Sequence, residues 1–203
     1  MEIKFLYVRY GLCGLIRLFV DKVITKLLFK RARLIRRPFN IRGKQYIEIG
    51  NGFTTGVGIR LEAVFHEIPE SKTLIIGKNV QINDHVHIAA LKRVIIGNNV
   101  LIASNVFITD HNHGVYKGSI EDDNPNTLPK DRKIVSKDVV IEDNVWIGEF
   151  VSILPGVTIA KGSIIGTMSV VNNNIPPYSI AVGIPAKVIK RFNFDNRTWE
   201  KVG

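Results

Sequence analysis

A branched apolar residue recurs every six residues along most of this chain, and this repeat restricts the possible fold more than any other feature. We call this six-residue repeat the beat, and the residues on it are Ile76, Ile82, Ile88, Ile96, Ile102, Ile108, Ile141, Ile147, Ile153, Ile159, Ile165 and Val171. An α-helix returns to the same face about every 3.6 residues and a strand about every two, so neither explains the period. A six-residue repeat is typical of a β-helix, in which each repeat supplies one short strand and one corner. The sequence therefore predicts an all-β solenoid.

A second set of small or β-branched residues supports this prediction, because it follows most beat positions by four residues. This set contains Val80, Val86, Val100, Val106, Val145, Val151, Val157, Ser163 and Ser169. Between the two sets lie Gly, Asn or Asp, as in Gly77-Lys78-Asn79, and these residue types tolerate the backbone of a tight corner. We expect both sets to point into the coil.

Three stretches carry a resemblance to a known family: Ile141 to Gly148, Leu154 to Ile159, and Gly183 to Ile189. They resemble the bacterial hexapeptide-repeat acyltransferases, in particular the branch of galactoside and maltose O-acetyltransferases. The resemblance covers roughly residues 46 to 191. It implies a left-handed parallel β-helix with three hexapeptides in each coil, acetyl-CoA as co-substrate, and a homotrimer whose sites lie between adjacent subunits.

The charge of the chain is concentrated at one end. Residues 1–45 hold twelve Lys or Arg and two acidic residues, so this segment alone has a net charge of +10. All 203 residues together also have a net charge of +10. Helical spacing unites an apolar set of Leu12, Leu15, Ile16, Phe19, Val20, Val23, Ile24, Leu27 and Leu28. The other face carries Arg17, Asp21, Lys22 and Lys26. We therefore predict a basic amphipathic helix, too charged to span a bilayer.

This helix has three interpretations. In the first, it lies on an anionic membrane surface. In the second, it caps the open end of the β-helix or packs between subunits. Membrane docking and capping can coexist. Nucleic-acid binding is the third, but the segment has no recognisable nucleic-acid motif, so we expect no nucleic-acid partner.

The pattern divides the chain into segments. Residues 1–37 form the basic helical segment, which Pro38 ends, and residues 38–191 form the β-helix. Within it the beat stops over residues 110–132, a polar stretch that predicts an extruded loop at the active site. Residues 192–203 form a C-terminal tail. A single cysteine, Cys13, and no visible cleavable signal favour a cytoplasmic protein, with peripheral attachment to the inner face of the plasma membrane as a further hypothesis.

Histidines cluster where the loop leaves the coils. His111 and His113 lie at its start, and His85 and His87 lie in the coil below, where we expect them to alternate along a strand. Acetyl transfer to a sugar hydroxyl requires a base, and the ordinary pKa of histidine, about 6.5, suits that role. The resemblance places the catalytic histidine at the sixth position of the hexapeptide before the loop. Counted from Ile108, that position is His113, with His111 as the alternative.

The resemblance also implies contacts for the sugar acceptor and for acetyl-CoA. Asn83 matches an asparagine that contacts the acceptor, and His85 and Trp146 are further candidates. A corner or surface role also explains Asn83 or His85, and packing against a neighbouring subunit also explains Trp146. An acceptor-binding aspartate of the family falls on Leu91, which departs from a galactoside-like site. The implied coenzyme A contacts are Trp146, Glu149, Thr167, Asn172, Asn173, Lys187 and Lys190. The two lysines suit phosphate groups, whereas the Glu149 carboxylate replaces a small polar residue and would repel them.

The leading prediction is an O-acetyltransferase that moves the acetyl group directly to a sugar of an O-antigen or capsule, with a free or lipid-linked glycan as acceptor and no metal. One alternative is a γ-class carbonic anhydrase, which uses the same fold and binds zinc through three histidines. The other is a non-catalytic β-helix that acts as a membrane scaffold. His111 and His113 are only two residues apart, whereas the zinc-binding histidines of the carbonic anhydrases are more widely spaced. The presence of Trp146 and of the Gly183 to Ile189 stretch also favours the transferase.

Overall fold

The structure is a computed structural model that describes residues 3–65 and 67–202. It begins with one helix, α1, at Ile3–Leu28, and two short 3₁₀ turns lie at Lys44–Tyr46 and Pro129–Asp131. The strands are β1 Phe39–Arg42, β2 Ile47–Ile49, β3 Thr54–Thr55, β4 Ile59–Ala63, β5 Leu74–Ile76, β6 Gln81–Ile82, β7 His87–Ala90, β8 Val94–Ile96, β9 Leu101–Ile102, β10 Phe107–Thr109, β11 His111–His113, β12 Ile134–Ser136, β13 Val139–Ile141, β14 Trp146–Ile147, β15 Ser152–Ile153, β16 Thr158–Ile159, β17 Ile164–Ile165, β18 Val170–Val171, β19 Ser179–Val182, β20 Lys187–Asn193 and β21 Thr198–Lys201.

The strands of the coils form three long sheets, which are the three faces of a β-helix. Face A has the order β3-β6-β9-β14-β17-β19-β20-β21, face B has β1-β4-β7-β10-β15-β18, and face C has β2-β5-β8-β13-β16. Successive strands of the chain visit face C, face A and face B in turn, and the strands of successive coils pair in parallel. The predicted parallel β-helix is confirmed.

The six-residue beat forms the core. On face A, Ile82, Ile102, Ile147 and Ile165 occupy one column of paired residues, and equivalent columns run along the other two faces. All twelve beat residues are at most 1% exposed. Because each column stacks branched apolar side chains from consecutive coils, the core is continuous from one end of the solenoid to the other.

The corners explain the polar residues between the beats. Asn79, Asn99 and Asn144 each adopt a left-handed backbone, with φ values of 54°, 56° and 60°. Their side-chain amides form a ladder in which Nδ2 of Asn79 donates to Asn99 and Nδ2 of Asn99 donates to Asn144, both at 3.3 Å. His85 occupies an equivalent corner with φ of 56°. The expectation that His85 lies on a strand is therefore wrong, because this position turns the chain from face A to face B.

Helix α1 packs against the β-helix along the side that carries Asp21 and Thr25, whereas Arg17, Lys22 and Lys26 are exposed. Asp21 is only 1% exposed, and its Oδ1 accepts a hydrogen bond from Nε of Arg37 at 2.6 Å. The Thr25 hydroxyl donates to the carbonyl of Asp21 at 2.6 Å and accepts from the N–H of Ile35 at 2.8 Å. These partners satisfy the buried polar groups, so burying this side of the helix costs little.

The opposite side of α1 presents an outer stripe of apolar residues to solvent. This outer stripe consists of Leu12, Ile16, Phe19, Val23 and Leu27, which are 44–72% exposed. The helix is interrupted at Gly11, whose backbone (φ 63°, ψ 179°) is not helical. Within the described residues, no helix combines the length and apolarity needed to cross a membrane.

The chain leaves the coils after β10 and returns at β13. The predicted loop 110–132 contains short structure of its own, because β11 pairs antiparallel with β12 at its base. The C-terminal tail also has regular structure. Strand β20 pairs antiparallel with both β19 and β21, so residues 187–201 form a hairpin that extends face A.

Candidate functional site

A buried carboxylate anchors the point at which the loop begins. Asp110 is 0% exposed, and its Oδ1 lies 2.9 Å from Nδ1 of His111 and accepts from the N–H of Leu91 at 2.8 Å. Its Oδ2 accepts from the N–H groups of Lys92 and Arg93, both at 2.7 Å. Burial acts to raise the pKa of Asp110, but the hydrogen bonds from His111 and the three backbone groups outweigh it and hold the pKa below its ordinary value.

The His113 ring is not held in this way. His113 is exposed at the end of β11, and its carbonyl accepts a hydrogen bond from the Tyr116 hydroxyl at 2.7 Å. Nη1 of Arg132 donates to the same hydroxyl at 2.8 Å, which ties the far part of the loop to its base. Among the residues that the structure describes, no side chain hydrogen-bonds to the His113 ring. Its backbone is therefore positioned while both ring nitrogens are available to a substrate.

Asn83 lies in a polar groove of about 410 Å³ between α1 and face A. The groove is lined by Arg9, Tyr10, Arg36, Thr54, Thr55, Gly56, Gln81, Ile82, Asn83, Asp84 and Ser104. Oδ1 of Asn83 accepts from Nε2 of Gln81 at 3.2 Å. His85 lies on the next corner position, where its ring occupies the space left by Gly58: a Cβ at Gly58 would lie 2.3 Å from Nδ1 of His85. The structure therefore places Asn83 and His85 along one edge of face A.

A second buried carboxylate was not among the sequence candidates. Oε2 of Glu62 lies 2.8 Å from Nε of Arg60 and 2.9 Å from Nε2 of His87. Its Oε1 lies 3.0 Å from Nη1 of Arg42. Burial acts to raise the pKa of Glu62, but these partners lower it below its ordinary value. The beat contained the signal for this cluster, since pairing Leu61 with Ile88 places residues 60 and 87 side by side. The hydrogen bond to Glu62 holds the His87 ring in place.

The candidate coenzyme A contacts divide between two places. Trp146 is 49% exposed on face A and begins a column of paired residues that continues through Ile164 and Ile180 to Lys190. Three strand spacings of about 4.8 Å separate the two ends of this column by about 14 Å. Lys187 belongs to the same hairpin, paired with Val182.

The remaining candidates lie at corners. Thr167 follows β17 at the edge of face A, and the exposed Glu149 lies on the corner above it, where its carbonyl accepts from the N–H of Met168 at 2.8 Å. Asn172 and Asn173 follow β18 on face B, at the same edge as His113, and are hydrogen-bonded to each other at 2.9 Å. The structure therefore brings Trp146, Thr167, Lys187 and Lys190 to face A and does not bring the two asparagines to them.

One chain carries the two halves of the candidate site on different edges. Asn83 and Trp146 belong to face A and its edge with face B, whereas His113 follows the opposite edge of face B. The width of face B separates them within a chain. Among the described ranges 3–65 and 67–202, no group of three or more His, Cys, Asp or Glu side chains is arranged to hold a metal ion.

The Asp110 carboxylate gives a testable dependence of stability on pH. Asp110→Asn should lower the free energy of unfolding at neutral pH by about 2–4 kcal/mol, because an amide cannot accept all the hydrogen bonds made by the buried carboxylate. Since the folded-state pKa lies below the unfolded value of 3.8, the charged form stabilises the fold above that value. This contribution is lost as the pH falls through the folded-state pKa.

Urea unfolding of both proteins between pH 7 and pH 3 measures this effect. The difference between wild type and Asp110→Asn should shrink toward the acid end, while Asp195→Asn, which changes an exposed carboxylate, should differ little from wild type throughout. A difference that stays constant with pH would contradict the assignment of the charge to Asp110.

Comparison with known proteins adds to this geometry. The family model described as "Bacterial transferase hexapeptide (six repeats)" matches residues 138–173. "Putative lipopolysaccharide biosynthesis O-acetyl transferase WbbJ" of Escherichia coli (strain K12) is 46% identical over 193 residues, which cover 95% of this chain and 96% of that protein. Galactoside O-acetyltransferase of the same strain is 40% identical over 118 residues, 58% of this chain and 54% of that protein.

Solved structures agree on the fold. A galactoside acetyltransferase in complex with coenzyme A is similar with a TM-score of 0.51 and 28% identity, covering 83% of this chain and 68% of that one. AntD, an N-acyltransferase from Bacillus cereus, in complex with dTDP and 3-hydroxybutyryl-CoA has a TM-score of 0.67 and 20% identity over 86% of this chain and 89% of that one. The similarity to WbbJ and to galactoside acetyltransferase favours the transferase over the zinc-enzyme and scaffold alternatives.

Proposed function

We propose a specific reaction for this chain, which belongs to the hexapeptide-repeat family of coenzyme A-dependent O-acetyltransferases: transfer of an acetyl group from acetyl-CoA to a sugar hydroxyl of a lipopolysaccharide O-antigen. The observation that carries the proposal is the 46% identity to WbbJ over 95% of the chain. The accessible His113 ring at the base of the loop supports it, because the reaction requires a base that a substrate hydroxyl can reach.

His113 acts as the general base. It takes the proton of the acceptor hydroxyl while that oxygen attacks the carbonyl carbon of the thioester. A C–O bond forms, the C–S bond breaks, and the thiol of coenzyme A leaves with the proton that His113 has held. The transfer is direct and needs no covalent enzyme intermediate, and Cys13, the one cysteine of the chain, lies on α1 and not on the loop that carries His113. His111 has a different role: with Asp110 it positions the backbone that carries His113.

Face A holds acetyl-CoA. The exposed Trp146 ring packs against the apolar arm of the cofactor, and the column from Trp146 to Lys190 leads along the face toward its charged end. Lys187 and Lys190 offer point charges to the phosphate groups. Glu149 lies on a corner and stays outside this column, so its carboxylate does not oppose the phosphates.

The complete site forms between subunits of a homotrimer. A His113 edge and a face A that lie apart in one chain come together when the edge of one copy meets face A of the next. Such a contact joins two different surfaces, and a ring of three copies closes it.

The acceptor is carried at a membrane surface. The outer stripe of α1 points away from the β-helix and is bordered by the exposed cations Lys22 and Lys26. An apolar stripe flanked by lysines suits the interface of an anionic bilayer, to which each nearby basic residue adds about 1 kcal/mol. The enzyme therefore lies on the inner face of the plasma membrane and modifies a lipid-linked glycan.

Transfer of radiolabelled acetyl from acetyl-CoA tests the reaction and its location together. We expect incorporation into a lipid-linked O-antigen fragment in phosphatidylglycerol vesicles. The triple variant Ile16→Ser/Phe19→Ser/Val23→Ser should bind these vesicles about a hundredfold more weakly, because three apolar side chains no longer insert. It should retain transfer to the same glycan released from its lipid.

Ile68→Ser is the matched control, since Ile68 is an exposed apolar residue far from α1 in sequence, and its vesicle binding should equal that of the wild type. Equal transfer by the wild type to the free and the lipid-linked glycan would contradict the membrane location. Absence of acetyl incorporation into either glycan by enzyme that binds coenzyme A would contradict the reaction itself.

A further inference from the structure

The N-terminal arm of α1 brings cationic side chains to the groove that contains Asn83. The interruption at Gly11 separates residues 3–10 from the rest of the helix. Only glycine readily adopts a backbone conformation with φ of 63° and ψ of 179°. The direction of the arm therefore depends on Gly11. Both Arg9 and Tyr10, at the end of this arm, line the groove.

Two guanidinium groups flank one aromatic ring in the groove. Cζ of Arg9 lies 5.4 Å from the centre of the Tyr10 ring, and Cζ of Arg36 lies 5.6 Å from it. Nη2 of Arg36 donates to the Tyr10 hydroxyl at 3.2 Å, and the N–H of Arg36 donates to the hydroxyl of Thr55 on β3 at 3.2 Å. Tyr10 thus holds the two cations on the same wall.

These cations lack an acidic partner. Within the described part of the chain, neither Arg9 nor Arg36 forms an ion pair, and Nε of Arg36 is buried without a hydrogen-bond partner. Of the residues that line the groove, Asp84 alone is acidic, and its Oδ1 already accepts from the N–H of Val57 at 2.7 Å. The groove therefore contains two guanidinium charges that no ion pair among the described residues neutralises.

We propose that Arg9, Tyr10 and Arg36 form an anion site that binds a diphosphate group attached to the acceptor sugar. A guanidinium group presents two parallel N–H donors to phosphate oxygens, and two such groups match the charge of a diphosphate. Asn83 lies in the same groove and offers its amide to the sugar next to that diphosphate. This inference rests on the proposed function and narrows its acceptor to a sugar diphosphate ester, with a nucleotide or a polyprenyl carrier.

Titration with inorganic pyrophosphate tests the site without acetyl transfer. The full chain is first saturated with coenzyme A, so that pyrophosphate cannot occupy the cofactor site at Lys187 and Lys190. The Kd for pyrophosphate should rise about tenfold or more in Arg9→Met and in Arg36→Met, since each loses a charge-assisted pair of hydrogen bonds. Arg197→Met, at an exposed turn between β20 and β21, should leave the Kd unchanged.

Gly11→Ala separates the geometry of the arm from its charge. Apart from the adjacent residues and the backbone of the helix itself, no atom lies within 4 Å of a Cβ added at Gly11, so the substitution acts through the strained backbone. It should weaken pyrophosphate binding although every cation remains, while vesicle binding through the outer stripe persists. A Kd equal to that of the wild type in Gly11→Ala, Arg9→Met and Arg36→Met would overturn the site.

Competition identifies the carrier. Uridine diphosphate represents a nucleotide-linked sugar and farnesyl diphosphate a lipid-linked one, and displacement of pyrophosphate by either supports the site and indicates the source. Failure of both to compete, or tighter binding of glucuronate than of pyrophosphate, would overturn the assignment to a diphosphate. Because these measurements need no acetyl transfer, failure of the proposed reaction and failure of the anion site give different results.

Discussion

His113→Ala is expected to lower kcat for acetyl transfer by about 10²–10⁴-fold, the range by which a positioned general base accelerates proton transfer. The Kd for coenzyme A should stay unchanged, because Trp146, Lys187 and Lys190, which are proposed to bind it, lie on face A, whereas His113 lies at the other edge of face B. The loss should appear in kcat rather than in KM, since the proton is transferred only in the transition state.

His111→Ala should behave differently, because His111 acts through Asp110 rather than on the substrate. Removing its ring leaves Oδ1 of Asp110 with the Leu91 N–H as its remaining partner and loosens the start of the loop. We expect kcat to fall about tenfold and the thermal midpoint to drop by a few degrees. His111→Asn should recover most of the kcat and of the thermal midpoint, because its amide can donate to Asp110. If His111 were the catalytic base, this substitution would not restore kcat, since an amide cannot accept the proton.

Steady-state kinetics and thermal unfolding of the three variants separate the two roles. A large loss of kcat in His111→Ala together with near-normal activity in His113→Ala would exchange the assignments. Near-normal transfer by the double alanine variant would contradict histidine catalysis at this loop altogether.

The periodic part of the fold was fully predictable because it depends on local sequence alone. Each beat residue, such as Ile102, must enter the core of its own coil, and the parallel pairing of successive coils aligns it with Ile82 and Ile147, although an insertion and a loop lengthen the chain between them. The same alignment implies the pair of residues 60 and 87, although it does not reveal that Glu62 joins them.

The orientation of α1 was not predictable from amphipathicity. An apolar helical face is usually buried, but here the surface that receives the helix supplies Arg37 for Asp21 and the Ile35 N–H for Thr25. These partners are contributed by the segment after the helix, and only folding brings them opposite Asp21 and Thr25.

The candidate site was predictable in its residues and not in its relationships. The end of the beat at Asp110 located the histidines, yet the three backbone N–H groups that hold Asp110 belong to a coil about one turn earlier in the chain. No local pattern distinguishes His111, which is held by a carboxylate, from His113, whose ring receives no hydrogen bond from a side chain in the described part of the chain. Similarly, sequence separation does not indicate that Trp146 and His113 lie on different edges.

Mixing two inactive variants is expected to restore activity, because the proposed site takes its halves from different chains. One variant is His113→Ala, which retains face A, and the other is Asn83→Ala/Trp146→Ala, which retains His113. Each homotrimer should show about 1% of wild-type activity or less. In a random mixture, an intact edge meets an intact face at about one quarter of the interfaces, so activity should rise to about a quarter of the wild-type value.

This recovery separates a shared site from one contained within a chain. If Asn83, Trp146 and His113 of the same chain acted together, every site in the mixture would contain a lesion and activity would remain at the level of the homotrimers. Co-expression with two affinity tags isolates the mixed trimers for a transfer assay, and because one interface in three of each mixed trimer is intact, this fraction should show about one third of the wild-type activity. The matched control mixes His113→Ala with the triple variant Asn83→Ala/Trp146→Ala/His113→Ala, in which no edge carries the base and no recovery is expected. Recovery in the first mixture and not in the control would require that the imidazole of one subunit serves the acetyl-CoA bound to its neighbour.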